Sequence, residues 1–262
     1  MNFTELKNLQ LDLEQKIREL ERSNMSLEEF AHAASHDLKE PVRKIYVFVD
    51  RLKSKIADRL TEEETQIFKR VETSAERMKA LIDDLLDYSH VSYMPQQKDR
   101  VDLNKKLALV LEDLELPIHD TQASIDIGKL PIIRGYRRQL QQLFQNLISN
   151  AIKYSKPGVP PHIRVTAQVV TGVDVLENLP ETDWNKPFQL IEVADNGIGF
   201  EPIHAEHIFK VFYRLHSKTD YSGTGVGLSI ARKVVANHGG YIWAESIPGK
   251  GARFKVLLPA SL

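Results

Sequence analysis

The sequence predicts a two-part chain, α followed by α/β. A coiled coil runs into a helical hairpin that pairs with a second copy as a dimeric four-helix bundle, and a sandwich of one mixed sheet and a helical layer follows. Three observations carry this. Leucines recur in steps of three and four from the first turns, a helical period continues to about residue 91 with one internal break, and after a short polar stretch helical and β-rich runs alternate to the end. The 262 residues suit one large domain or two modest ones, and 42% hydrophobic with 27% charged residues excludes a disordered or collagen-like chain.

Leu6, Leu13, Leu20 and Leu27 occupy d positions of successive heptads and Ile17 an a position, with polar Gln10 and Asn24 at other a positions. A buried Asn at a favours parallel, in-register pairing, so residues 1–30 are expected to be a dimeric coiled-coil linker. The coil begins almost at residue 1, and a longer protein with a sensor domain upstream is the expected setting.

The hairpin is expected over 31–92. Its first helix continues the register through Ala31, Ala34 and Leu38, which puts His36 at the outward f position. Pro41 removes one backbone bond and is expected to kink the helix just after His36. Val42, Ile45, Val49, Leu52 and Ile56 carry the pattern on, and it breaks around Asp58 to Thr61. Thr61 with Glu64 has the capping-box form for a second helix through Ile67, Val71, Met78, Leu81, Leu85 and Tyr88. Such a hairpin buries both apolar faces only in a dimer.

The stretch SYMPQQKDR makes residues 93–100 an interdomain linker, with the second domain at 101–262. Helices are predicted near Leu103–Leu114, Tyr136–Ser155 and Leu228–His238. Strands are predicted at Ser124–Ile127, His162–Val170, Phe188–Ala194, Tyr241–Ser246 and Ala252–Leu258. The segment TGVDVLENLPETDWNKP reads as a long hairpin excursion without a function of its own.

With 35 basic and 36 acidic residues the net charge is -1, so no global field recruits nucleic acid or an anionic membrane, and any anion site is local. The absence of cysteine removes disulfides, thiolate zinc sites and cysteine nucleophiles. No run approaches the roughly 18 apolar residues of a membrane span. The start MNFTELKNLQ lacks the apolar core of a secretory signal, and a cytoplasmic location is expected.

Three clusters concentrate chemistry: QNLISNAIKYS, ADNGIGF and GTGVGLSIA. Asn146 and Asn150 lie four apart on one helix face, with Lys153 and Tyr154 at the same edge one turn on. Their amide oxygens suit a hard cation such as Mg²⁺, which takes further ligands from phosphates; a polar helix flank is the plainer reading. Asp195 ends a strand and is placed to accept from an exocyclic amine while Gly197 and Gly199 let backbone approach a ring; the alternative is a tight turn. Gly223, Gly225 and Gly227 precede a helix, whose start would aim N–H groups at an anion or serve as a bare helix start. Their spacing is not the Rossmann one, and Walker A, HRD and DFG motifs are absent.

In this order the clusters resemble the asparagine and glycine boxes of the GHKL ATPases, and ASHDLKEPVRKI ahead of them resembles the phosphoacceptor box of sensor histidine kinases. HIFKVFYRLH resembles the phenylalanine box through Phe209, Phe212 and Arg214, and GKGARF the last glycine box. The SHDLKEP form is similar to the phytochrome-like branch. The resemblance covers nearly the whole chain and implies a GHKL-type α/β sandwich behind the bundle.

It further implies that His36 is the phosphoacceptor, that Asp37 assists it as a base or orienting group, and that Asn150 is the Mg²⁺ ligand with Asn146 in support. Lys153, Tyr154 and Ile198 would meet ATP, Asp195 would read the adenine amine, and Lys210 and Arg214 would reach phosphates. Phe212 and the run Gly223, Thr224, Gly225, Val226, Gly227 and Leu228 would complete the pocket and its lid with Gly197 and Gly199. The implied activity is an ATP-dependent autokinase passing its phosphoryl group to a response-regulator receiver domain, as a homodimer. Glu40 stands where the family usually has the Thr or Asn that directs water in phosphatase action, so the resemblance does not extend to that step. Ala252 replaces a frequent Ser or Thr, at the cost of at most one hydrogen bond.

Other readings are weaker. His32 and His36 are spaced as metal ligands but have no third partner in sequence, and His204 and His207 read as surface histidines of the lid. Gly227 to Ala231 nearly spells a serine-hydrolase elbow, but Ser229 falls inside a predicted helix rather than on a strand-to-helix turn. A catalytically silent ATP-binding scaffold is the serious rival, disfavoured because His36, Asn150, Asp195 and the glycines are all present. Chaperone and topoisomerase ATPases of the same superfamily lack the hairpin.

Overall fold

A computed structural model describes residues 37–56, 59–93, 97–215, 221 and 223–260, together with Lys7, Asp12, Gln15, Lys16, Glu19 and Ser23. His36, His32 and the coiled-coil seam of Leu6, Gln10, Leu13, Ile17, Leu20, Asn24 and Leu27 lie outside these residues, whereas the turn just after His36, where Pro41 was expected to kink the helix, lies within them and is helical. The six isolated N-terminal positions are helical. Among the described residues no helix is long and apolar enough to cross a membrane. The chain divides into two compact units, Met1–Met94 and Pro95–Leu262.

In the first unit, helix α1 (37–56) continues through Pro41, and α2 spans Glu62–Tyr93. The capping box forms: the Thr61 N–H and hydroxyl both donate to Glu64 Oε2 at 2.8 Å, and the Glu64 N–H donates back to Thr61 Oγ1 at 3.2 Å. These bonds hold the Glu64 carboxyl below its ordinary range. Lys39 pairs with Asp83 at 2.6 Å and Lys53 with Glu72 at 2.8 Å, so advancing along α1 means retreating along α2, and the hairpin is antiparallel. Two apolar stripes result. Val42, Ala75 and Ile82 are buried within this unit's two helices, whereas Leu38, Ile45, Phe48 and Leu52 of α1 and Ile67, Val71 and Met78 of α2 are exposed on the single chain.

The second unit contains a five-stranded sheet in the order β2-β4-β5-β7-β6, from β2 (Ser124–Ile127), β4 (His162–Thr171), β5 (Pro187–Asp195), β6 (Tyr241–Ile247) and β7 (Gly251–Pro259). Only β2 and β4 pair in parallel. Helices α3 (Leu103–Asp113), α5 (Arg137–Lys153) and α6 (Gly227–Asn237) form the second layer. Its core includes Leu107, Leu143, Phe144, Leu147, Ile148, Ile230 and Val234, fully or almost fully buried with Ile163, Ile191 and Val193 of the sheet. Because side chains alternate along a strand, Asp195 at the end of β5 falls on the same face as Ile191 and Val193.

Phe188 and Leu190 fall on the other face, where residues 172–186 fold over them in short 3₁₀ turns. The expected excursion is therefore a small second core: Val170, Leu179, Phe188, Leu190 and Leu257, with Trp184 and Trp243 packed against it. Tyr241 donates to Asp183 Oδ2 at 2.6 Å, and this bond pushes the phenol up to about 12.

Two features were not expected from sequence. β1 (Asp99–Asp102) pairs antiparallel with β3 (Ile132–Gly135) as a separate two-stranded sheet, so the strand starts within residues 93–100. A short helix α4 (Glu115–Thr121) follows α3; Pro117 sits in its first turn, where a missing N–H costs nothing.

His238, in the sequence only a neighbour of paired glycines, ties the end of α6 to the start of α5. It is buried, its Nδ1–H donates to the Val234 carbonyl at 2.7 Å, and its Nε2 accepts the Tyr136 N–H at 2.9 Å. Burial, with Lys98 nearby, lowers its pKa below the ordinary 6.5. The folded unit thus refuses a proton that the unfolded chain accepts below about 6.5, and stability should fall as pH drops through that value, levelling off below the folded pKa. Denaturant melts at about pH 7.5 and about pH 5.5 are expected to show this loss, and His238→Gln to show a smaller difference between the two. An unchanged difference would remove His238 as the cause.

Candidate functional site

The apolar face of α5 is fixed by Leu140, Leu143, Phe144, Leu147, Ile148 and Ala151, and the helical period leaves Asn146, Asn150 and Lys153 half-buried on its flank. Asn146 faces the start of α6: its Oδ1 lies 3.1 Å from where a Gly227 Cβ would stand. Its Nδ2 is buried without a hydrogen-bond partner among the described residues. No side chain caps the first turn of α6, whose leading N–H groups have no intrahelical acceptor and sit at the positive end of the dipole. A buried donor beside an uncapped helix start calls for an acceptor such as a phosphate oxygen.

The loop after β5 is clamped from two sides. The Ile198 N–H donates to the carbonyl of Tyr154, the C-cap of α5, at 3.0 Å, and the Gly249 N–H of the β6–β7 turn donates to the Ile198 carbonyl at 2.7 Å. Gly251 (φ +93°) lies so close to the Asp195 carbonyl that a Cβ there would overlap it. Asp195 uses one oxygen twice: Oδ1 accepts the Gly197 N–H at 2.8 Å and the Ala252 N–H at 3.2 Å. Ala252, the departure noted above, therefore contributes through its backbone. Oδ2 has no hydrogen-bond donor among the described residues and remains available to an incoming one. Burial raises the Asp195 pKa above its ordinary value, opposed by the two N–H bonds and Lys156.

The segment before α6 is held by a backbone N–H of Phe212 and by the side chain of Arg214. Phe212 adopts φ +63°, costly for a non-glycine residue, and its N–H donates to the Gly225 carbonyl at 3.0 Å. Gly225 itself has φ +84°, and a Cβ would press on Tyr213 and Arg214 at 3.0 Å. Arg214 donates to the carbonyls of Gly223 and, at 2.6 Å, Tyr221; the guanidinium expected at phosphates here organises the glycine loop. The Lys153 ammonium lies against Gly223 and 4.5 Å from the centre of the Tyr154 ring. Lys153, Ile198 and Tyr221 are among the residues that line an open groove of about 1240 Å³, which is roomy against the usual ~300–1,000 Å³ of ligand sites.

The expected residues are thus brought together in part. Asn146 meets Gly227; Lys153 meets Gly223; Tyr154 meets Gly197 and Ile198; Phe212 and Arg214 meet Gly225. The Gly199 position abuts Ile247 of β6. Thr224 Oγ1 accepts the Val226 N–H at 3.4 Å, Val226 is buried at the N-cap of α6, and Leu228 sits in its first turn. The Asn150 amide has no partner among the described residues, and Lys210 is exposed after the 207–209 turn. Asp37 is exposed on α1, in the other unit. Ser229 lies inside α6 with its hydroxyl on the Val226 carbonyl, which disposes of the elbow reading. Sequence reasoning missed Tyr221 and the clasp of Asn196, whose Oδ1 accepts the His162 N–H at 2.8 Å. The only available sign of Tyr221 was an aromatic just ahead of GTGVG.

Residues 26–92 match the family described as His Kinase A (phospho-acceptor) domain, and residues 135–262 match Histidine kinase-, DNA gyrase B-, and HSP90-like ATPase. Phytochrome-like protein Cph1 of Synechocystis is 35% identical over 248 residues, 95% of this chain and 31% of that protein. Cyanobacterial phytochrome A of Nostoc is 37% identical over 248 residues, 95% of this chain and 30% of that protein. The chain spans about a third of the length of these relatives. Among solved structures, full-length ShkA in complex with AMPPNP shares the fold with a TM-score of 0.63 at 24% identity, covering 89% of this chain and 46% of that one. With a phosphoacceptor hairpin and a GHKL-type ATPase sandwich in that order, the chain belongs to the sensor histidine kinases, the phytochrome-like branch included.

Proposed function

We propose that this chain is the kinase portion of a longer sensory protein, and that as a homodimer it transfers the γ-phosphoryl group of ATP to His36 and then to an aspartate of a separate response regulator. The observation that carries this reading is Asp195: two backbone N–H groups saturate one carboxylate oxygen and leave the other for the exocyclic amine of adenine. Triphosphate would then run toward Lys153, the Asn146 amide and the uncapped start of α6, all cationic or donor groups. The Asn150 amide oxygen suits Mg²⁺, which when bound would offset charge on the phosphates. The buried donor of Asn146 fits a phosphate oxygen rather than the metal.

At pH 7 an imidazole with an ordinary pKa near 6.5 keeps a lone pair on one nitrogen. The His36 nitrogen forms a bond to the γ-phosphorus while the bond to the ADP oxygen breaks, and Asp37 accepts or orients the proton on the ring. The chain's contribution is position and charge, as phosphoryl transfer requires. ATP as substrate makes a cytoplasmic site the natural one.

The test is incubation with γ-labelled ATP and Mg²⁺. Protein-bound phosphate that is labile in acid and stable in base supports the reading; ATP binding without label would favour the silent scaffold.

The exposed stripe of Leu38, Ile45 and Leu52, seven residues apart, is the proposed partner surface of the second copy. Ile45→Asp removes an apolar side chain worth about 2 kcal/mol from each protomer and inserts a charge, so the dimer constant should weaken by at least about a hundredfold. Sedimentation equilibrium would show it, and an unchanged dimer would place the interface elsewhere.

A further inference from the structure

Tyr221 has no role in the motif reading, yet it joins the parts of the site that handle negative charge. Its ring centre lies 5.2 Å from that of Tyr154 with the planes tilted by 47°. Its hydroxyl donates to the Ser155 carbonyl at 3.3 Å, and its own carbonyl accepts from Arg214 at 2.6 Å. The Tyr154 ring so held is the one beneath the Lys153 ammonium, which in turn lies against Gly223. Tyr221 is therefore linked to the lysine through a single aromatic ring.

A lysine side chain loses considerable rotamer freedom when it is fixed on a ligand. A cation–π contact restrains the ammonium before the ligand arrives, and only if the ring itself stays in place. We infer that Tyr221 is a positioning residue for the anionic part of the nucleotide: it clamps the Tyr154 ring and, through it, sets the Lys153 ammonium beside the glycine loop. This rests on the reading of the site as an ATP site. The ring does the clamping, and the bond to Ser155 is secondary, since a bond of 3.3 Å is long for an O–H donor.

Calorimetry on the full chain with Mg²⁺ and ATP, ADP or adenosine separates the possibilities. Tyr221→Ala is expected to weaken ATP and ADP about five- to tenfold, the effect of losing one aromatic pair, and adenosine by less than about twofold. KM for ATP should rise with kcat nearly unchanged. Tyr221→Phe keeps the ring and should stay within about twofold of the parent. In a Lys153→Met background, Tyr221→Ala should cost no further affinity. Equal losses for adenosine and ATP, an undiminished loss in the Lys153→Met background, tighter ATP binding, or no change would each overturn the inference. A Tyr221→Phe as weak as Tyr221→Ala would overturn the primacy of the ring. A parent chain that binds no ATP would instead overturn the reading on which the inference stands.

Discussion

With His36 replaced by glutamine, the chain is expected to bind ATP as tightly as the parent and to take up no acid-labile phosphate. Glutamine keeps a polar side chain of comparable reach but has no nitrogen lone pair free to attack phosphorus, because the amide nitrogen is delocalised into its carbonyl. The residues proposed to contact the nucleotide lie in the other compact unit and are untouched by the change. Two nearby groups make the result informative. His32 lies four residues earlier and Asp37 is adjacent, and label on either would show that the acceptor had been assigned to the wrong side chain.

Asp195→Asn should give the second large effect, about a hundredfold weaker ATP binding with the fold intact. The asparagine oxygen takes over the bonds from the Gly197 and Ala252 N–H groups, so the loop keeps its clasp. The other branch becomes an NH₂ and presents a donor to an adenine donor. A hydrogen bond to a charged group is worth about 1.5–3 kcal/mol, and the mismatch adds to its loss. Titration with a fluorescent ATP analogue would measure it, with a thermal melt as the check on folding. Affinity within about threefold of the parent would mean that the free carboxylate oxygen does not read the base. A mixed dimer of His36→Gln and Asp195→Asn protomers then reports the direction of transfer: label is expected only if ATP on one protomer serves the histidine of its partner.

The elements that sequence located well are those whose pattern is local. Strand β2 was read at its observed bounds, and α5, α6, β4, β5, β6 and β7 within a residue or two, because each has a period of its own and a glycine, proline or cap at its ends. β1 and β3 escaped because DRVD and IIRG are four residues each and become strands only by pairing across about thirty intervening residues. α4 escaped because Pro117 reads as a breaker unless it is known to sit in a first turn. The site shows the same division. Asn146, Asn150, Asp195 and the glycines announce themselves by spacing, whereas Tyr221 on Tyr154 and Arg214 on the Tyr221 and Gly223 carbonyls are contacts between distant segments. Spacing along a chain carries no record of these.

The buried amide of Asn146 implies a conflict between robustness and use. An unpartnered buried donor costs a fold about 1–3 kcal/mol, a large share of the net stability of an ordinary domain. Selection for heat resistance alone would favour an aliphatic residue there, and the ancestry of a chain that lost its chemistry should drift that way first. If the proposed nucleotide site is right, a working kinase keeps the strain and a docking nucleotide would relieve it, so occupancy should be visible as a rise in melting temperature that grows with ligand concentration.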